Sequence, residues 1–185
     1  MMKDLISGVI GLGATNASVI STSEIVTDAV YRDICATNSC GRYGKCYMCP
    51  PDCGDINELM AKLRNYEYAL VYQTVDELED SFDFEGMIAA RNRLNVLSQR
   101  IRRFTDAYPL SDAFHLGVGG CMVCPVCAKE TGEACRHPEI AITSLEACGI
   151  DVSKLAASSG MRYNNGPETV TYFGAVLFSV KKGEK

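Results

Sequence analysis

The sequence lacks most of the signals from which a function is usually read. It has no basic excess: 18 Lys and Arg stand against 23 Asp and Glu, a net charge of −5 before any cysteine ionises. Thiolates would make the chain more acidic still, which argues against nucleic acid as a partner. Arg100, Arg102 and Arg103 form the one basic group, late in a helix, where they complement the helix dipole rather than bind phosphate. The apolar stretch Leu5 to Ala14 is too short to span a bilayer. It has the look of a signal-peptide core, but Asp4 at its basic end and three glycines within it speak against secretion. No Ser-His-Asp set, paired-carboxylate site or phosphate loop is present, so no catalytic residue is named. Gly8, Gly11 and Gly13 precede a strand instead of following one, which excludes a dinucleotide loop. The C-x3-C-x2-C run of radical S-adenosylmethionine enzymes is missing too. With neither a linker nor an internal repeat, one domain over residues 1–185 is expected.

What the chain has in quantity is cysteine, ten in 185 residues. They are clustered, which points to metal in a reducing cytoplasm more than to disulfides. Cys121, Cys124 and Cys127 follow C-x2-C-x2-C spacing on one loop, and Cys135 comes after seven intervening residues. Thiolate is a soft ligand suited to iron–sulfur clusters, zinc and Cu(I). A single zinc usually takes two separated pairs. A four-iron cubane offers an iron to each thiol, so three close cysteines on one loop wrap it, as in the ferredoxin run C-x2-C-x2-C-x3-C-P. Here the fourth cysteine is displaced and Arg136 replaces the proline. Iron–sulfur is the favoured reading of this second field, with zinc the alternative.

The first field holds Cys35, Cys40, Cys46, Cys49 and Cys53 in an aperiodic, Gly- and Pro-rich loop. A loop this long needs something to order it, and metal ligation contributes folding energy directly. Its spacings match no ferredoxin pattern, so iron–sulfur and zinc stay open. Four thiols close a site, which leaves one spare. Whether the two fields form separate sites or a shared one is also open. Pro50, Pro51 and Pro125 beside cysteines either stiffen the loops or are ordinary turn residues. His137 is expected at the surface, and His115, Tyr43, Tyr47, Tyr68 and Tyr72 in packing. Cys148 stands alone and reads as a buried small hydrophobe.

The scaffold reads as α/β (α+β): a small mixed sheet of about four strands with helices packed on it and two cysteine-rich loops. Strands are expected at 17–21, 67–74, 113–118 and 170–180, with Ile25-Val26 extending or pairing with the first. Helices are expected at 3–13, 56–66 and 84–107. The longest has Met87, Ala90, Leu94, Leu97, Ile101, Phe104 and Tyr108 on one stripe. Asp55 to Glu58 and Thr143 to Glu146 look like capping boxes, and Asp151 caps a further short helix ending before Gly160.

Cys35-x4-Cys40-x2-Tyr43-Gly44, Cys49-Pro50-Pro51 and Gly120-Cys121-x2-Cys124-x2-Cys127 occur in this order. Cys135-Arg136-His137-Pro138 and Ser144-x-Glu146-Ala147-x-Gly149-Ile150-Asp151-Val152 complete the set. Together they resemble an uncharacterised family of predicted metal-binding proteins (domain of unknown function 2284), found mostly in anaerobic bacteria and archaea. The resemblance implies metal binding at Cys35, Cys40, Cys49, Cys121, Cys124, Cys127 and Cys135. Cys53 is a plausible eighth ligand, and Cys46 lies where the family pattern has no cysteine. No reaction comes with the resemblance. The expectation is one or two [4Fe-4S] clusters in a cytoplasmic protein of anaerobic metabolism that exchanges electrons with a partner enzyme. The alternatives are a zinc-stabilised interaction module and an enzyme with a substrate-accessible cluster.

Overall fold

The computed structural model describes residues 1–181. Strands β1 (Asn16–Ser21), β2 (Tyr68–Glu77), β3 (Leu110–Gly117), β4 (Thr143–Ser144) and β5 (Thr169–Val180) form one mixed sheet in the order β1-β2-β5-β3-β4. Only the β3–β4 pair is parallel. Helices α1 (Met2–Gly11) and α4 (Phe84–Thr105) cover one face; α3 (Ile56–Leu63) and α5 (Val152–Ser158) cover the other. A fifth helix, α2 (Val30–Ala36), carries Cys35. The α+β scaffold expected from the sequence is therefore present, with five strands.

β5 is the centre of the sheet because it is apolar at every position from Phe173 to Phe178 except Gly174, and all six are buried. Strand side chains alternate between faces, so a run apolar on both parities demands cover on both sides. Val176 and Phe178, with Leu70 and Tyr72 of β2, pack on Leu94, Leu97 and Ile101 of α4. Phe173, Ala175 and Leu177, with Ala69 and Val71, face Leu63, Leu155 and Ile150 instead. The glycine inside α1 has a packing reason. A Cβ on Gly8 would lie 2.1 Å from the Phe104 ring, so the close approach of α1 to α4 offsets the propensity cost of about 1 kcal/mol.

Two features differ from expectation. Thr143 and Ser144 pair with Leu116 and Gly117 as β4. Ser144 Oγ does accept the Ala147 N–H at 3.1 Å, but only a single 3-10 turn, Glu146–Cys148, follows. The expected Thr143–Glu146 capping box does not form: the turn's N-cap is Leu145 without a side-chain cap, because pairing with β3 takes Thr143 and Ser144 and Thr143 Oγ1 bonds Met48 instead. Helix α2 was not anticipated, since it has no buried residue and leaves Val30 and Ile34 exposed, so no stripe marks it. Beside it, Val26 and Asp28 hydrogen-bond Asp151 and Gly149 instead of extending β1.

His115 lies in β3 with Nδ1 buried and unpartnered. Burial, aided by the nearby Arg102 charge against the opposing Asp106, holds its pKa down to about 4. The unfolded chain binds this proton near pH 6.5, so unfolding takes up a proton between those values and stability falls as pH drops through that window. Denaturant titrations should show a loss of at most roughly 3 kcal/mol from this group between about pH 6.5 and 4. His115→Phe should flatten that part of the profile.

Candidate metal centre

Sheet and helices bring the two cysteine fields together. β3 ends at Gly117, and the chain turns straight into Gly119-Gly120-Cys121. The first field spans the connection from α2 to α3 and lies against this turn. A Cβ on Gly120 would sit 3.1 Å from Cys49 Sγ and 3.3 Å from Arg42 Cγ, so the two loops come together where a larger residue would have to push Cys49 or Arg42 aside. Further contacts bind them. Tyr47 Oη donates to the Glu133 carbonyl at 2.7 Å, and Thr143 Oγ1 to the Met48 carbonyl at 2.8 Å. Lys129 pairs with Asp52 while its ammonium lies 5.4 Å from the Tyr47 ring centre.

The thiols then sort into two groups. Cys121, Cys124, Cys127 and Cys135 line a small cavity of about 20 Å³, and Cys46 joins them from the first field. Exposed His137 and the Arg136 side chain stand at its edge. Cys35, Cys40 and Cys49 line a second and larger cavity of about 320 Å³, together with Tyr31, Tyr43 and Glu146. Cys53 does not line it, but lies close enough for its charge to act on Cys35 and Cys49. Among the described residues no three Cys, His, Asp or Glu side chains converge tightly enough to grip a single ion.

Cys46 is the residue that sequence reasoning set aside. It is 1% exposed, and it lines the second field's cavity beside Cys121, Cys124, Cys127 and Cys135, which makes it the link between the fields. The spacing Cys46-x2-Cys49 was a usable signal, because a C-x2-C pair is an ordinary metal-binding unit. Cys148 is buried in the apolar core, as expected, and burial pushes its thiol up to about 12.

Electrostatics explain why these thiols want a cation. Burial raises the pKa of Cys35, Cys53 and Cys121, and neighbouring cysteines raise each further. In the Cys46–Cys49 pair the Cys49 S–H donates to Cys46, which holds Cys46 down to about 6 and Cys49 well up. The pair gives up one proton readily and the second only against that charge. Fixed cations supply part of the compensation. Arg32 Nη1 and Nη2 donate to the Gly54 and Ala147 carbonyls at 2.9 and 2.8 Å, and its charge favours the Cys35 and Cys53 thiolates. Arg136, paired with Glu133 at 2.7 Å and donating to the Val126 carbonyl, lies beside Cys124. Nine crowded thiols with donors on their sulfurs form a donor set that fits soft-metal binding.

Cys46→Ser should lower metal content and hasten loss to a chelator. Cys148→Ala should leave metal content unchanged, at a packing cost of about 1 kcal/mol. Metal analysis of the two purified variants beside the parent, with thermal melts, checks both.

A family model described as "Predicted metal-binding protein (DUF2284)" matches residues 18–178, which include both cysteine fields. No curated protein and no solved structure matches the chain. By that match across the sheet and both fields, the chain belongs to the DUF2284 family of predicted metal-binding proteins.

Proposed function

We propose that this protein holds one or two [4Fe-4S] clusters and passes electrons to or from a partner enzyme. The observation that carries the reading is the cavity where Cys121, Cys124 and Cys127 meet the displaced Cys135. Three thiols on one tight loop with a fourth across the cavity suit a core that presents a separate iron to each sulfur. Cys121, Cys124, Cys127 and Cys135 are the proposed ligands there, with Cys46 as an additional thiol. Cys35, Cys40, Cys49 and Cys53 are the proposed ligands of the first field. A bound cluster would supply one-electron chemistry. The chain's own part is to keep the sulfurs ionised and shielded. Arg136 on Cys124 and Arg32 near Cys35 and Cys53 stabilise negative charge on sulfur, which raises a cluster's reduction potential. Tyr47, held on Glu133, and Val123 limit water at the second field.

Zinc is the second reading. Cys46-x2-Cys49 and Cys124-x2-Cys127 are two separated C-x2-C pairs, the arrangement that a single zinc usually takes. A zinc module would be redox-silent, and its metal would serve to order the loops for an interaction.

Anaerobically purified protein is expected to be brown, to contain iron with acid-labile sulfide, and to give an electron paramagnetic resonance signal on reduction. Colourless protein with stoichiometric zinc after anaerobic reconstitution would sink the cluster reading. Cys135→Ala should lose the second-field cluster, because Cys135 closes that site; retention of a four-iron cluster would instead mean an iron left open for chemistry.

A further inference from the structure

A cavity of about 450 Å³ lies between α4 and the loop that carries Cys121. This is within the range of small-molecule sites. It is a built space, since two amides tie its walls together: Gln99 Nε2 donates to the Ile140 carbonyl at 2.8 Å, and Asn95 Nδ2 to the Val118 carbonyl at 3.3 Å. Arg102 and Arg103 are among its lining residues, together with the apolar Val96, Met122, Val123, Ile140 and Ile142.

The arginines are short of partners. Arg102 has Asp106 at 3.8 Å, beyond direct hydrogen-bond distance, and among the described residues neither guanidinium donates a hydrogen bond. Each has a planar fork of donors matched to a carboxylate. Compensation of the helix dipole explains cations at the end of α4, but it requires neither a cavity nor an apolar lining. Two arginines and a largely apolar lining in one cavity suit an amphipathic anion.

We propose that this cavity binds a small organic carboxylate. Its charge rests on Arg102 and Arg103, and its apolar body lies against Val96, Val123 and Ile142, next to Cys121. The site stands whichever metal the cysteine fields hold. Charge-assisted hydrogen bonds supply the affinity for the anion, and desolvation of the apolar body selects against inorganic anions.

The test is calorimetric titration of the metal-loaded protein, handled anaerobically, with benzoate, benzyl alcohol and inorganic phosphate. Benzoate should bind saturably at one site, and the alcohol and phosphate about tenfold or more weaker. Arg103→Gln, at an exposed position, should weaken benzoate by about tenfold without changing metal content, and Arg102→Gln by at least as much. Val96→Asp, also exposed, should weaken it too by placing a like charge at the mouth. The proposal is overturned by the absence of saturable benzoate binding, by phosphate binding as tightly, or by Arg103→Gln and Val96→Asp proteins that bind benzoate like the parent.

Discussion

Nine of the ten cysteines lie in two adjoining loops and on the end of α2 beside them, and thiols in that number cannot all ionise side by side unless cations neutralise them. This constraint governs the region around the metal centre. Burial and mutual repulsion hold Cys35, Cys53 and Cys121 protonated, while metal ligation needs them deprotonated. The chain meets part of the demand with Arg32 and Arg136, and bound metal would meet the rest. Loops rich in Gly and Pro, with little backbone pairing of their own, then gain their order from the same ligation that neutralises them.

The sheet makes that crowding reproducible. β5, apolar on both faces, fixes β2 and β3 on either side of it, and β3 aims the chain at Cys121. The parallel pairing of β4 with the end of β3 returns the chain beside its own exit point after Cys135. Thr143 there hydrogen-bonds the Met48 carbonyl in the other field. Each cysteine loop is thus anchored by rigid elements at its ends and by the other loop in its middle. Gly120 lies close against Cys49 Sγ at this junction.

The division of thiols between the cavities gives the centre an asymmetry. The second field's cavity is the smaller, lined by its four cysteines and by Cys46. The first is roomier and more apolar, with three sulfurs and Glu146 on its walls. Cys46 and Cys49, three residues apart and hydrogen-bonded to one another, stand one in each cavity. They join the two cavities along one short stretch of chain, which suits a protein whose proposed work is to move charge.

Much of this was legible from residues alone. The 3.6-residue stripe of α4, the doubly apolar β5 and the caps at Asp55 and Asp151 act over a few neighbours, so local spacing determined those elements; the C-x2-C-x2-C run likewise carries its own chemistry. What the sequence could not hold was everything set by contact across the fold. Thr143-Ser144 became a strand because β3 offered an edge, and α2 formed without a buried stripe. Cys46 passed from the surplus of one field into the cavity of the other because Gly120 lets the two loops close. Spacing fixes which thiols can share a loop; only the sheet, by bringing residues 86 positions apart such as Tyr47 and Glu133 into contact, decides which share a cavity.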